Sequence, residues 1–97
     1  MAKGKLTTGG TETISAATSV KIMLCIFQNR QTKAYKWLSL ESVPGTNGRY
    51  LCESAVDVAA IPAQKPAGCK TSPGSYADYE TAVERIEAEG YDIITKL

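Results

Sequence analysis

The sequence predicts a single α+β domain of two layers. An antiparallel sheet, in chain order β-β-β-α-β, carries one principal helix on one face. Three observations predict this. Apolar residues alternate with period two in short segments broken by Gly, Pro and Asn. Only Tyr76–Glu89 has helical apolar spacing. A chain of 97 residues leaves room for one core.

Residues 1–19 are dominated by Gly, Ser and Thr, with only Leu6 and Ile14 able to anchor them. They read as a flexible N-terminal arm or as an extra edge strand near Glu12–Ser15. Residues 20–97 form the domain. Val20–Gln28 carries Val20, Ile22, Leu24 and Ile26 on one face and Lys21, Met23, Cys25 and Phe27 on the other. Both faces are apolar beyond Lys21, which predicts an interior strand. Asn29–Thr32 is a polar break suited to a hairpin loop.

Lys33–Leu40 resumes alternation. Tyr35, Trp37 and Ser39 share one face; Ala34, Lys36, Leu38 and Leu40 share the other. Val43–Gly48 contains Pro44-Gly45 and Asn47-Gly48, two turn-forming pairs. In Arg49–Ile61, the alternation of Tyr50, Cys52, Ser54, Val56 and Val58 favours a strand. A short Ala-rich helix over Glu53–Ala60 competes, but its apolar spacing is poor. Pro62–Ser75 holds three prolines without periodicity and predicts a long loop.

The helix has clear ends. Ser75 and Asp78 stand at capping-box spacing, and Gly90 lies where a left-handed C-terminal residue is wanted. Tyr79, Ala82, Val83 and Ile86 form its apolar stripe. Tyr91–Leu97 alternates again and predicts a last strand.

Net charge is +1, which excludes the strongly basic profile of a dedicated nucleic-acid binder. The charge is nevertheless uneven. Residues 1–40 hold six basic residues against one acid, a local +5, and residues 41–97 hold five against nine, a local −4. There is no histidine, so the commonest general base and metal ligand is missing. Glycine-rich phosphate loops and hard-metal loops are absent from the sequence. Glu53/Asp57 and Glu84/Glu87 read as solvated surface pairs. No metal, cofactor or enzymatic activity is expected. Cys25, Cys52 and Cys69 form no CxxC. No long apolar stretch or secretory signal is seen, so a cytoplasmic setting with reduced thiols and no membrane contact is expected.

The most suggestive segment is Phe27–Trp37, which interleaves three aromatic rings with three cations. Trp, Tyr and Arg dominate interface energetics. Arg30, Lys33, Tyr35, Lys36 and Trp37 are therefore the candidate contact residues of a small non-enzymatic binding module. Its partner would be another protein or a second copy of the chain. The alternative is single-stranded DNA or RNA, with Tyr35 and Trp37 as a stacking platform. A further alternative places thiol redox chemistry at Cys69, next to Lys70. Cys25 and Cys52 could form a bridge if their strands were adjacent. All of the contact readings require the Tyr35 and Trp37 rings to stand in water.

Overall fold

The computed structural model describes residues 20–97. The arm or edge strand expected within residues 1–19 lies outside the described residues. Five strands and one helix follow in chain order: β1 (Val20–Asn29), β2 (Tyr35–Ser42), β3 (Arg49–Ser54), β4 (Cys69–Pro73), α1 (Tyr76–Ala88) and β5 (Tyr91–Lys96). The sheet is antiparallel, ordered β4-β3-β2-β1-β5. This is the expected α+β architecture with one strand more than the expected order.

The added strand, β4, lies inside the predicted loop. Its sequence, Cys-Lys-Thr-Ser-Pro, carries no apolar alternation because it is an edge strand, exposed along most of its length. The strand predicted over Arg49–Ile61 ends at Ser54 instead. Beyond it the chain forms a connection whose only ladder contact among the described residues is the Tyr35–Val58 bridge. Val56 and Val58 alternate as strand residues do, but only the first five residues of the segment, Arg49–Glu53, pair continuously with β2.

Interior strand β1 behaves as its two apolar faces predict, pairing with β2 on one side and β5 on the other. Its faces are divided differently. Lys21 pairs with Glu41 and Met23 with Leu40, so Ile22 is an extra residue in a β-bulge. Ile22 and Met23 both pack toward the helix-side core, whereas Leu24 and Ile26 face the other way with Trp37. A second bulge lies between the Ile26–Thr95 and Phe27–Ile93 pairs and leaves Ile94 extra in β5.

Helix α1 forms where its caps dictate. Ser75 Oγ accepts from the Asp78 amide, and the Asp78 carboxylate accepts from the Ser75 amide at 2.8 Å. Gly90 follows the helix at φ 108°, a conformation that an L side chain strains to adopt. Tyr79, Ala82 and Ile86 are buried against Cys25, Phe27, Leu38 and Leu40, with Val83 partly buried beside them. Full burial of each large apolar side chain contributes about 1.5–3 kcal/mol. Cys25 sits in this layer without exposure, and its thiol is pushed up to about 11, mainly by burial.

Tyr79 Oη is buried there with no hydrogen-bond partner among the described residues. Burial, with Cys25 as neighbour, also raises its phenol above the ordinary tyrosine range. A buried hydroxyl without a partner opposes folding. Tyr79→Phe is therefore expected to leave stability unchanged or raise it by about 1 kcal/mol. Ile86→Ala, which opens a cavity in the same layer, is expected to lower it by about 2–5 kcal/mol. Urea unfolding of the two variants checks the contrast; a loss above about 1 kcal/mol in Tyr79→Phe would contradict the unpartnered hydroxyl.

Candidate functional site

The sheet divides the five sequence-predicted contact residues among three environments. Arg30 lies in the β1–β2 turn, exposed, and donates to Asp92 of β5 at 2.6 Å. Lys33 is exposed at φ 67°, the left-handed residue that closes the turn. Asn29 organises this turn: its side-chain oxygen accepts from the Gln31 and Thr32 amides at 2.8 and 2.9 Å. Tyr35 is half-buried, with Gln28 Nε2 donating to its hydroxyl at 3.3 Å.

Trp37 does share a face with Tyr35, but it is only 1% exposed. Leu24, Ile26 and Cys69 pack around it, on the face away from α1, and Lys21 Nζ stands 5.2 Å from the ring centroid. The ring is neither in water nor under the helix. The expected two-ring platform is therefore not formed, because the second face of the sheet is covered as well.

Lys36 is also buried, on the helix side. Its ammonium lies 3.3 Å from Glu53 Oε2 and 5.6 Å from the Tyr91 ring centroid. Glu53 also accepts from Arg85 of α1 at 2.5 Å, which ties the helix to β2 and β3. Asp57 accepts from the Tyr91 hydroxyl at 2.7 Å. Glu53 and Asp57 are thus not the solvated pair that their spacing suggested. Each is used to hold one element against another.

Two features of this surface have no counterpart in the sequence-predicted set. The first is the segment after β3. Tyr35 and Val58 exchange two backbone hydrogen bonds of 2.8 Å, and Asp57 is held by Tyr91. The segment is pinned, yet Val56 is 72% exposed, and Ala59, Ala60 and Ile61 form an exposed apolar run. The run can be read in the sequence, but its exposure follows from β3 ending at Ser54. At the β1–β2 turn, Asn29, Arg30, Gln31, Glu89 and Gly90 line a polar hollow of about 230 Å³.

The second is a polar chain on the face away from α1. Trp37 Nε1 donates to Ser39 Oγ at 3.0 Å, and Ser39 Oγ donates to Glu41 Oε2 at 3.1 Å. Lys65 Nζ donates to Glu41 Oε1 at 3.1 Å and stands 3.9 Å from Cys52 Sγ. Cys52 is buried on this face and Cys25 on the other, and their strands are not neighbours. The Cys25–Cys52 bridge considered from sequence is thereby excluded.

Among the described residues, no three His, Cys, Asp or Glu side chains gather as a metal-holding group. No helix among them is long and apolar enough to cross a membrane.

Burial of Glu53 opposes its ionisation, but hydrogen bonds and charge from Arg85, then Lys36, outweigh it and hold the carboxyl below the ordinary glutamate range. Its folded-state pKa lies below the unfolded value. The stabilisation is present above the unfolded value and is lost as pH falls through the folded one. Stability should therefore fall on acidification below about pH 4.5. Glu53→Gln should lower stability at pH 7 by about 1–3 kcal/mol and flatten that acid limb. Urea midpoints against pH measure both; an unchanged acid limb in Glu53→Gln would exclude the linkage. Against known proteins, no family model, curated protein or solved structure matches this chain.

Proposed function

We propose that this chain is a non-catalytic binding module that docks a protein partner at the end formed by the β1–β2 hairpin and residues 55–61. The observation that carries the reading is an exposed apolar run on a pinned backbone. Val56, Ala59, Ala60 and Ile61 stand in water while Val58 and Asp57 are held by Tyr35 and Tyr91. A run of exposed apolar residues opposes solubility and is ordinarily kept for an interface. A held segment also loses little conformational freedom on binding.

The Tyr35–Val58 bridge ties the segment to the start of β2, just after the hairpin turn that holds Arg30 and Lys33. In this reading Tyr35, Lys33 and Arg30 flank the run from the hairpin, with Arg30 also lining the polar hollow. Lys36 and Trp37 are buried and make no contact with the partner. The fitting partner presents an apolar centre and carboxylates toward Lys33.

The test is photo-crosslinking from a benzophenone amino acid at position 61, with position 87 on the exposed helix surface as control. A discrete covalent product is expected from position 61 and not from 87. Val56→Asp should weaken it about tenfold or more, since truncating or charging an interface anchor removes over 1 kcal/mol. A product of twice the chain mass identifies the partner as a second copy. Equal labelling from both positions, or none from 61, would overturn the proposal.

A further inference from the structure

Cys52 and Cys69 were unrelated in the sequence, and the fold places them on one sheet face on adjacent strands. Cys52 pairs with Thr71 and Ser54 with Cys69, so the two cysteines are diagonal neighbours across the β3–β4 ladder. Both side chains belong to the face away from α1. Cys69 packs against the Trp37 cluster, and Cys52 lies 3.9 Å from Lys65 Nζ and 3.7 Å from Thr71 Oγ1. Cys25 is walled off on the other face. We propose that Cys52 and Cys69 form a reversible dithiol–disulfide pair, oxidised by low-molecular-weight disulfides.

Three features argue for it. The first is access in sequence. Cys69 is half-buried at the sheet edge and can meet a small disulfide, whereas Cys52 is 1% exposed and can meet only Cys69. The second is the pair of donors at Cys52. Burial holds both thiols above the ordinary cysteine range, and at Cys52 the Thr71 hydroxyl, 3.7 Å away, and the Lys65 ammonium, 3.9 Å away, reduce that rise and would stabilise the attacking sulfur. The third is mobility where it is needed. Diagonal neighbours stand about 7–8 Å apart at Cα, slightly beyond the reach of a disulfide at about 4.4–6.8 Å. The strand that must shift is β4, five residues long and paired on one side only among the described residues. Gly68, at φ 79°, immediately precedes Cys69 and gives the backbone a pivot. In the reduced state Cys69 Sγ donates to Pro66 O at 3.2 Å, a contact that closure releases.

The chemistry balances in two exchanges. The Cys69 thiolate attacks one sulfur of the small disulfide; its S–S bond breaks, and one thiol leaves with the proton lost by Cys69. The Cys52 thiolate then attacks Cys69 Sγ in the mixed disulfide, and the second thiol leaves with the proton of Cys52. Two protein thiols are oxidised as one external disulfide is reduced.

The test treats the folded, reduced chain with glutathione disulfide at about pH 9, because burial raises both thiols and the thiolate is the attacking form. The expected product has lost two hydrogens, carries no adduct and retains one free thiol, at Cys25. Cleavage after glutamate separates Cys52 from Cys69 at Glu53, so the bridge is found as two linked peptides. Cys52→Ser should stop at a stable glutathione adduct on Cys69. Cys69→Ser should react about tenfold more slowly or not at all, because the buried Cys52 is left alone. Circular dichroism confirms that each variant is folded. A wild-type product that keeps the glutathione adduct, a bridge that includes Cys25, or three unmodified thiols would each overturn the proposal. The test uses no residue of the proposed docking end, so the two readings stand or fall separately.

Discussion

Strand β2 has no side facing water, and the rest of the structure answers to that constraint. From Lys36 through Glu41 every residue is buried, yet the run includes a lysine, a serine, a glutamate and an indole N–H. A buried polar group without a partner costs about 1–3 kcal/mol, and an unpaired buried charge costs more. Each of these groups is therefore met. Lys36 finds Glu53, the Trp37 indole finds Ser39, Ser39 finds Glu41, and Glu41 finds Lys65.

Two of these partners, Glu53 and Lys65, come from outside β2, so satisfying β2 also assembles the fold. Glu53 brings β3 and, through Arg85, the helix. Lys65 brings the β3–β4 connection across the second face. That connection passes Tyr35 at Val58, and there its apolar residues are left facing outward. The exposed run and the two-thiol face both lie along the β3–β4 connection and the strands it joins, and that connection also brings Lys65 to the side of the sheet that has no helix. One lies where the connection leaves β3, the other where it returns as β4.

Much of the helix layer was legible in the sequence because its signals are local. The Ser75–Asp78 box, the Tyr79–Ala82–Val83–Ile86 stripe and Gly90 act within a few residues of one another, and all appear where expected. Strand β4 was not legible. A strand held along one edge needs no apolar face, so Cys69–Pro73 leaves no pattern to detect. The bulge at Ile22 was equally hidden, since an extra residue changes which face a side chain joins without changing composition. In the candidate site, Arg30 could be placed in a turn from Asn29 and its polar neighbours, whereas Lys33, expected to open the next strand, closes that turn and β2 begins at Tyr35. The fate of Trp37 could not.

By itself, then, the amino-acid sequence determined the class of fold, the helix with its ends and the positions of the two hairpin arms, because periodicity and caps are short-range properties. Only the tertiary structure decided which side of the sheet each ring and charge would meet. Alternation puts Trp37 and Lys36 on opposite faces, but only the fold brings Leu24, Ile26 and Cys69 to cover the one and Glu53 to pair with the other. Cys52 and Cys69 are 17 positions apart and end as neighbours. The physical reason is that burial depends on what arrives from distant parts of the chain to cover a surface, and alternation along one strand carries no record of that arrival.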